Sequence, residues 1–377
     1  MDYAPLSLDN FPAQLRRNVD PSSPPPMRMM AARGLVPAAP GELAMVLYQL
    51  SLDSDAQVAD AARKTMAGAP DNVVTAAAAS PLDGQVLDFI AALHKRATKT
   101  LEAVLLNRAA LDATFVWVAE LANESLTELI ASNDVRLLRT PAIIESLYMN
   151  PKARMSTLDR VVDLAKRNGV KFEGLAALQQ LVDDPRFDTA AAAKDSAERE
   201  AQGKDFREVL EESLKNDHRD SDEIRKELKE DEKEDKKSTK SLQTKLLEMS
   251  ISEKVRMAML GSAQEREFLV KDNNKLVHMA AVTSPKLSVK DIVSWSGNRL
   301  VPDTVLAYIA NHRRYRRMYN VVVNLANNPK TPVKTSYRLV PQLVDRDLKA
   351  ILRNRNVPAP TRRQAKEILG QRSKRKK

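Results

Sequence analysis

Apolar residues recur at helical spacing along most of the chain. In the segment GELAMVLYQLSLD, Leu43, Val46, Leu47 and Leu50 stand at positions i, i+3, i+4 and i+7, which places them on one face of a helix. Short connections rich in Asn, Asp, Pro and Gly separate this segment from others with the same spacing. The others include SDAQVADAARKTMAG, DGQVLDFIAALHKR, DATFVWVAELA, TPAIIESLYMN, STLDRVVDLAKRNG and KSLQTKLLEMSISEKVRMAMLG. The pattern predicts an all-α chain of short stacked helices.

Two regions lack this spacing. Residues 1–40 contain PSSPPP and GLVPAAP, and prolines without apolar periodicity predict a disordered leader. The alternative is that the leader docks on another part of the chain through its apolar residues Leu6, Leu8, Phe11 and Leu15. Residues 189–243 are dominated by charge, with 17 acidic and 13 basic residues between positions 191 and 240. We expect a solvated linker there, partly helical through Glu–Lys pairs at i,i+4.

One long stretch of sequence occurs twice, at an offset of 178 residues and without gaps. The tripeptide Asn-Pro-Lys occurs only at 150–152 and 328–330, and the only two tryptophans, Trp117 and Trp295, also match at this offset. Further matching pairs are Asn133 with Asn311, Arg136 with Arg314, Arg139 with Arg317, Leu147 with Leu325 and Arg160 with Arg338. These matches predict two homologous halves.

Each half contains a shorter and less regular repeat. The segments SPKLSVKDIVS, NRLVPDTVLAYIA, NNPKTPVKTSYRLV and RNVPAPTRRQAKEIL each begin with a polar or Pro-bearing turn and continue as a helix with an apolar stripe. Proline suits the first helical turn because its missing N–H would have no partner there. Such a unit buries its apolar face only against its neighbours. We therefore expect an α-solenoid of short stacked helices in two homologous halves joined by the charged linker.

These patterns divide the chain into five segments, and charge differs between them. The segments are a disordered Pro-rich leader (1–40), an N-terminal helical-repeat domain (41–188), the charged linker (189–243), a C-terminal basic helical-repeat domain (244–370) and a basic tail (371–377). From Thr244 onward, 28 Lys and Arg against 10 Asp and Glu give a net charge of +18. The rest of the chain holds 32 and 40, a net charge of −8.

The repeats resemble those of a known group of proteins. RLLRTPAIIESLYMNPKARMSTLDRVVDLAKRNGV in the front half resembles an uncharacterised family of bacterial helical-repeat proteins, of the kind frequent in myxobacteria. DNNKLVHMAAVTSP and ANNPKTPVKTSYRLVPQLVDRDLKAILRNRNVP in the back half resemble the same family. The repeat is more distantly similar to leucine-rich variant and HEAT-like repeats. This resemblance implies stacked helix pairs and a binding role without catalysis. The Fe–S domain of some leucine-rich variant proteins cannot be present, because the chain has no cysteine.

Composition and motifs exclude most kinds of chemistry. Without cysteine there is no disulfide, thiolate metal site or Cys nucleophile. The four histidines, His94, His218, His278 and His312, are scattered, and no phosphate-binding or nucleophile motif is present. The matched tryptophans are interpreted as packing residues. We expect no enzymatic activity, no bound metal and no cofactor.

The strongest functional signal is a concentration of basic residues in the back half. The sequence HRRYRRMY places four arginines around Tyr315, and arginine offers planar donors to phosphate or carboxylate. The front half matches this cluster only at Arg136 and Arg139. The candidate binding residues are Arg313, Arg314, Tyr315, Arg316, Arg317, Arg338, Arg353, Arg355, Arg362, Arg363 and Lys366.

Three functions remain open at this point. We expect a non-catalytic adaptor or scaffold that binds protein partners, among them acidic ones. The alternative is a nucleic-acid-associated protein that binds phosphate backbone through the basic back half. The third is an enzyme whose site has no recognisable motif. The basic surface itself is also compatible with contact to solvent alone or to anionic lipid. No apolar run reaches the length of a membrane span and no signal peptide is recognisable, so we expect a cytoplasmic protein, and the composition suits a bacterium.

Overall fold

The computed structural model describes residues 3–217 and 244–375, and every regular element within them is helical. The all-α prediction is confirmed for these residues. The α-helices, numbered over the described residues, are α1 Ala13–Val19, α2 Pro25–Ala32, α3 Pro40–Leu50, α4 Ala56–Ala67, α5 Asp71–Ala78, α6 Gly84–Leu93, α7 Thr98–Leu106, α8 Asp112–Leu121, α9 Glu124–Ala131, α10 Asp134–Arg139, α11 Ala142–Met149, α12 Met155–Arg167, α13 Ala176–Asp183, α14 Thr189–Ala201, α15 Phe206–Asp217, α16 Ile251–Leu260, α17 Ala263–Leu269, α18 Lys275–Val282, α19 Val289–Gly297, α20 Asp303–Asn311, α21 Tyr319–Asn327, α22 Val333–Leu339, α23 Asp345–Arg353 and α24 Ala359–Arg375. Three 3-10 turns, η1 Leu8–Asn10, η2 Tyr315–Arg317 and η3 Val340–Gln342, complete the described elements.

The chain divides into two compact units, Met1–Val170 and Lys171–Lys377. The boundary lies earlier than position 188, where the sequence placed it. Helix α13 therefore belongs to the second unit, where it packs against α18 through a face that includes the buried Leu178 and Leu181.

Within each unit, helices pack mainly against the second helix along the chain. In the first unit, α3 packs on α5, α5 on α7 and α7 on α9, while α2 packs on α4. In the second unit, α16 packs on α18 and α18 on α20, while α19 packs on α21 and α21 on α23. Because alternate helices are neighbours, each helix covers the apolar stripes of helices before and after it, as the short repeat of the sequence requires.

The helix boundaries of the two units recur at nearly the same offset as the sequence matches. Helix α8 begins at Asp112 and α19 at Val289, which is 177 residues later. Helix α12 begins at Met155 and α22 at Val333, which is 178 residues later. The 178-residue repeat of the sequence is therefore also a repeat of element positions.

The leader differs from the prediction of disorder. The segment packs onto α2 and α3 through α1 and buries Phe11, Leu15 and Val19. Its prolines stand where helices begin, with Pro12 preceding α1 and Pro24 preceding α2. Each fully buried Leu or Phe contributes about 1.5–3 kcal/mol, which favours the ordered segment. A few apolar residues are sufficient to order the leader because α2 and α3 cover them.

The first part of the charged linker is also packed rather than solvated. In α15, Phe206, Leu210 and Ser213 are buried, and the Phe206 ring lies 5.4 Å from the guanidinium carbon of Arg256. The Ser262 N–H donates to Ser213 Oγ at 3.1 Å. Phe206 and Leu210 are among the few apolar residues of this segment, and they form the buried face of a helix in a mostly charged sequence. Linker residues 218–243 lie outside the described residues.

The predicted basic tail, 371–377, is helical as far as Arg375, where α24 ends. Arg372 holds this end of the helix, because its Nη1 donates to the Leu343 carbonyl and to Asp345 Oδ1, both at 2.8 Å. Residues 376 and 377 lie outside the described residues.

Candidate anion-binding surface

Two buried asparagines fix the turns at which α11 and α21 end. Asn328 Nδ2 donates to the carbonyls of Ser296 and Asn298 at 3.0 Å, and its Oδ1 accepts from the Lys330 N–H at 3.1 Å. In the first unit Asn150 makes the same set of bonds, to Ala119 and Ala122 at 2.7 and 2.8 Å and from the Lys152 N–H at 2.9 Å. The two Asn-Pro-Lys turns are thus built alike. Each turn ties the end of one helix to the end of another about 30 residues earlier, and so satisfies carbonyls that the helix leaves unpaired.

The matched tryptophans also have the same hydrogen-bonding role. Trp117 Nε1 donates to Asp88 Oδ1 at 2.9 Å, and Trp295 Nε1 donates to Glu267 Oε2 at 2.5 Å. The acceptors lie 29 and 28 residues before their tryptophans. Trp295 is 1% exposed and Trp117 is half-buried. Both tryptophans therefore join neighbouring helices.

A short connection between α20 and α21 presents the arginine cluster. The His312 ring stacks on the Tyr315 ring with centroids 4.3 Å apart, and the Tyr308 ring lies 5.9 Å from His312 on the preceding helix. This aromatic column braces the connection. The side chains of Arg313, Arg314, Arg316 and Arg317 are exposed around it.

Arg338 belongs to the same group although it lies on α22. Its Nη2 donates to Asn311 Oδ1 at 2.6 Å, at the last residue of α20. We call Arg313, Arg314, Arg316, Arg317 and Arg338, together with Tyr315, the arginine turn.

Two other candidate residues, Arg353 and Arg355, lie at the opposite end of α21. Arg353 and Arg355 flank Asn354, whose Nδ2 donates to the carbonyl of Asn327, the last residue of α21, at 3.4 Å. The arginine turn leads into the first residue of that helix. A helix of nine residues is about 13 Å long, so Arg353 and Arg355 are separated from the arginine turn by about the length of α21. Arg362, Arg363 and Lys366 follow on α24, where Arg362 is partly buried and the other two are exposed.

No ion pair of the described residues involves a candidate arginine. Residues 304–344 contain no Asp or Glu. Among the described residues from 304 onward, the ion pairs are Arg346 with Asp347 and Arg372 with Asp345. The candidate arginines therefore have no acidic partner within the part of the chain that the structure describes. Their charges repel one another and attract anions from solution.

The first unit neutralises the equivalent arginine pair. Asp112 accepts from Arg136 Nη1 at 2.9 Å, from Arg139 Nε and Nη2 at 2.8 and 2.5 Å, and from Thr140 Oγ1 at 2.8 Å. The hydrogen bond from Arg139 is the main reason that the pKa of Asp112 is lowered. The Arg136 guanidinium also lies 4.0 Å from the centre of the Phe115 ring. At the 178-residue offset, Asp112 corresponds to Lys290, so the second unit has a cation where the first has the neutralising anion.

Lys290 is not among the predicted site residues, although the 178-residue offset pairs it with Asp112. The predicted homology rested on identical positions, whereas at this position the charge is reversed. Val135, the counterpart of Arg313, is 77% exposed and borders a groove that Phe115, Asn133 and Asp134 also line in the first unit. An exposed apolar side chain at position 135 thus corresponds to a cation at position 313.

The described histidines have structural roles. His94 Nε2 lies 2.9 Å from the Met66 carbonyl oxygen. His278 Nδ1 lies 3.0 Å from the carbonyl oxygen of Asp272 and its Nε2 lies 2.7 Å from Thr304 Oγ1, and burial lowers the pKa of this imidazole. Among the described residues, no three His, Asp or Glu side chains are grouped so as to hold a metal ion. The same residues include no helix with the length and apolar character that crossing a membrane requires.

Comparison of the chain with protein-family models, with curated proteins and with solved structures found no match.

Proposed function

We propose that the protein is a non-catalytic helical-repeat adaptor that binds an acidic protein partner through the arginine turn of the second unit. The alternating packing of helices and the asparagine turns support an α-solenoid. The recurrence of helix starts, tryptophan bonds and Asn-Pro-Lys turns at one offset supports two homologous halves. The family resemblance and the absence of cysteine support a cytoplasmic place of action in a bacterium.

One observation carries the binding proposal. The arginine pair at positions 136 and 139 is satisfied by Asp112, whereas the pair at 314 and 317 is exposed and has no acidic partner among the described residues. Arginines brought together without a counter-charge are unfavourable in the free protein, and an anionic partner removes that repulsion. The first unit further supports the view that a carboxylate is a ligand such a pair accepts.

Titration of the full chain into a fluorescein-labelled Glu-rich peptide, followed by anisotropy, tests the proposal. Changing Arg313, Arg314, Arg316 and Arg317 to Ser is expected to weaken binding about tenfold or more, because each exposed ion pair contributes about 0.2–1 kcal/mol. The matched control removes four exposed basic side chains of the first unit, Arg96, Lys99, Arg108 and Lys152, by the same change to Ser. The control is expected to change the affinity less than about twofold. Absence of peptide binding, or equal losses in the two variants, would contradict the proposal.

The aromatic column favours a second candidate, a single-stranded nucleic acid. Tyr315 stands among the arginines, and Tyr319 and Tyr337 nearby in sequence are 39% and 49% exposed. Proteins that bind single strands combine cationic grooves with such stacking platforms. A labelled oligothymidine in the same assay distinguishes the two candidates. Tighter and more steeply salt-dependent binding of the oligonucleotide than of the peptide, weakened by Tyr315→Ala, would support this candidate instead.

A further inference from the structure

The Asp112 site shows how this protein holds a carboxylate between two arginines. Arg136 and Arg139 are three residues apart on one helical turn of α10, and Asp112 is the first residue of α8. Arg139 donates through both Nε and Nη2, so it presents the fork that suits the two oxygens of a carboxylate.

The second unit repeats this framework without the carboxylate. Arg314 and Arg317 are also three residues apart and lie at η2, which occupies the position of α10. Lys290, the counterpart of Asp112, is the second residue of α19 and is exposed. Trp117 follows Asp112 by five residues, as Trp295 follows Lys290. Each of these tryptophans donates a hydrogen bond to a carboxylate of a neighbouring helix. The two arginine pairs therefore share their spacing and a neighbouring inter-helix tryptophan bond, but the second pair has a lysine at the position of the aspartate.

We infer that Arg314 and Arg317 bind the carboxylate of an aspartate or glutamate side chain supplied by the partner, in the place that Asp112 occupies in the first unit. This inference rests on the proposed function and names the group that is recognised. No carboxylate from positions 304–344 can take this place, because none exists there. An external carboxylate removes the repulsion between the two guanidinium groups, just as Asp112 does in the first unit.

Two neighbouring differences leave the second pair more open than the first. Val293 stands where Phe115 stacks on Arg136, and Met318 stands where Thr140 donates to Asp112. The arginines of the second unit therefore lack the ring and the hydroxyl that hold the first site closed. An accessible pair is what capture of a carboxylate from another protein requires.

The substitution Lys290→Asp tests the inference, because it supplies the missing carboxylate from within the chain. It is expected to weaken binding of the Glu-rich peptide to the full chain about tenfold by occupying the arginine pair. The control is Lys275→Asp, which makes the same change of charge at an exposed first-turn position, on α18. It is expected to weaken binding less than about threefold. An acidic residue suits the first turn of a helix, so neither variant should impair folding.

A second variant separates recognition of a carboxylate from attraction by charge. Changing Arg314 and Arg317 to Lys keeps both charges but removes the planar forks, and is expected to weaken peptide binding about fivefold. Equal effects of Lys290→Asp and Lys275→Asp, or full affinity of the double Lys variant, would overturn the inference while leaving the proposed acidic partner in place. Failure of the unaltered chain to bind the peptide would overturn the proposed function itself, and the inference with it.

Discussion

The arginine pairs of the two units show how one framework serves two purposes. In the first unit, Arg136 and Arg139 close onto Asp112, and the connection between α9 and α11 is held in place. In the second, Arg314 and Arg317 keep the same spacing, but Lys290 replaces the aspartate. One reversed charge turns a structural ion-pair cluster into an exposed cationic site. The comparison teaches that matching arginines can have different surroundings, which become apparent only when the positions that contact them are also compared.

The largest expected effect concerns the asparagine turns, which both units contain. Asn150→Ala and Asn328→Ala each leave two helix-end carbonyls without the buried amide that satisfies them. Each substitution is expected to destabilise its own unit by about 2–3 kcal/mol, measured by urea denaturation. Asn273→Ala, at an exposed position, is the control and is expected to change stability by less than about 0.5 kcal/mol. A large loss for one asparagine and none for the other would break the equivalence of the two turns.

A smaller and unequal effect is expected where the units differ. Asp112→Ala removes the acceptor of Arg136, Arg139 and Thr140, and is expected to lower the free energy of unfolding by about 1–2 kcal/mol. Lys290→Ala is expected to change it by less than about 0.5 kcal/mol, because the lysine is exposed. Urea denaturation of the two variants beside the unaltered chain measures both values. Equal losses would mean that position 290 carries a structural interaction like that of position 112.

The smallest effect is the pH dependence of stability that Asp112 contributes in the first unit. The hydrogen bond from Arg139 lowers the pKa of Asp112 in the folded protein, below the value of about 4 in an unfolded chain. The stabilisation is therefore fully present above pH 4 and is lost as the pH falls through the folded-state pKa. The stability difference between the unaltered chain and Asp112→Asn is expected to be constant from pH 7 to about pH 5. It should shrink, by less than about 1 kcal/mol, as the pH falls toward 3. A difference that grows on acidification would contradict this account.

Periodicity was sufficient to predict the helices, because each apolar stripe is a local property of its segment. Periodicity did not predict that the leader packs on the rest of the chain, because the helices that cover Phe11 and Leu15 come later in the sequence. The asparagine turns explain why Asn-Pro-Lys occurs twice. The sequence alone does not show that the Asn328 side chain donates hydrogen bonds to carbonyls about 30 positions earlier. Such bonds depend on which helix ends meet.

The basic residues of the site were predictable from composition, but their grouping was not. Arg338 joins the arginine turn through Asn311, 27 positions away, whereas Arg355 lies at the other end of α21. Separation along the sequence does not determine which end of a helix a residue occupies. The reversed charge at Lys290 was visible in the alignment of the two halves. That this position faces an arginine pair could be inferred only from the hydrogen bonds that Asp112 accepts in the first unit.

Hydrogen exchange of the arginine Nε–H groups, followed by NMR on a sample labelled with ¹⁵N-arginine, tests the central claim most directly. Arg139 Nε donates to Asp112 Oδ2 at 2.8 Å, so its proton should exchange slowly, whereas that of Arg317 should exchange at the rate of a solvated guanidinium. In Lys290→Asp, the Arg317 proton is expected to become as slow as that of Arg139. Slow exchange at Arg317 in the unaltered chain, or no change on introducing the aspartate, would contradict the claim that the second arginine pair is open and able to hold a carboxylate.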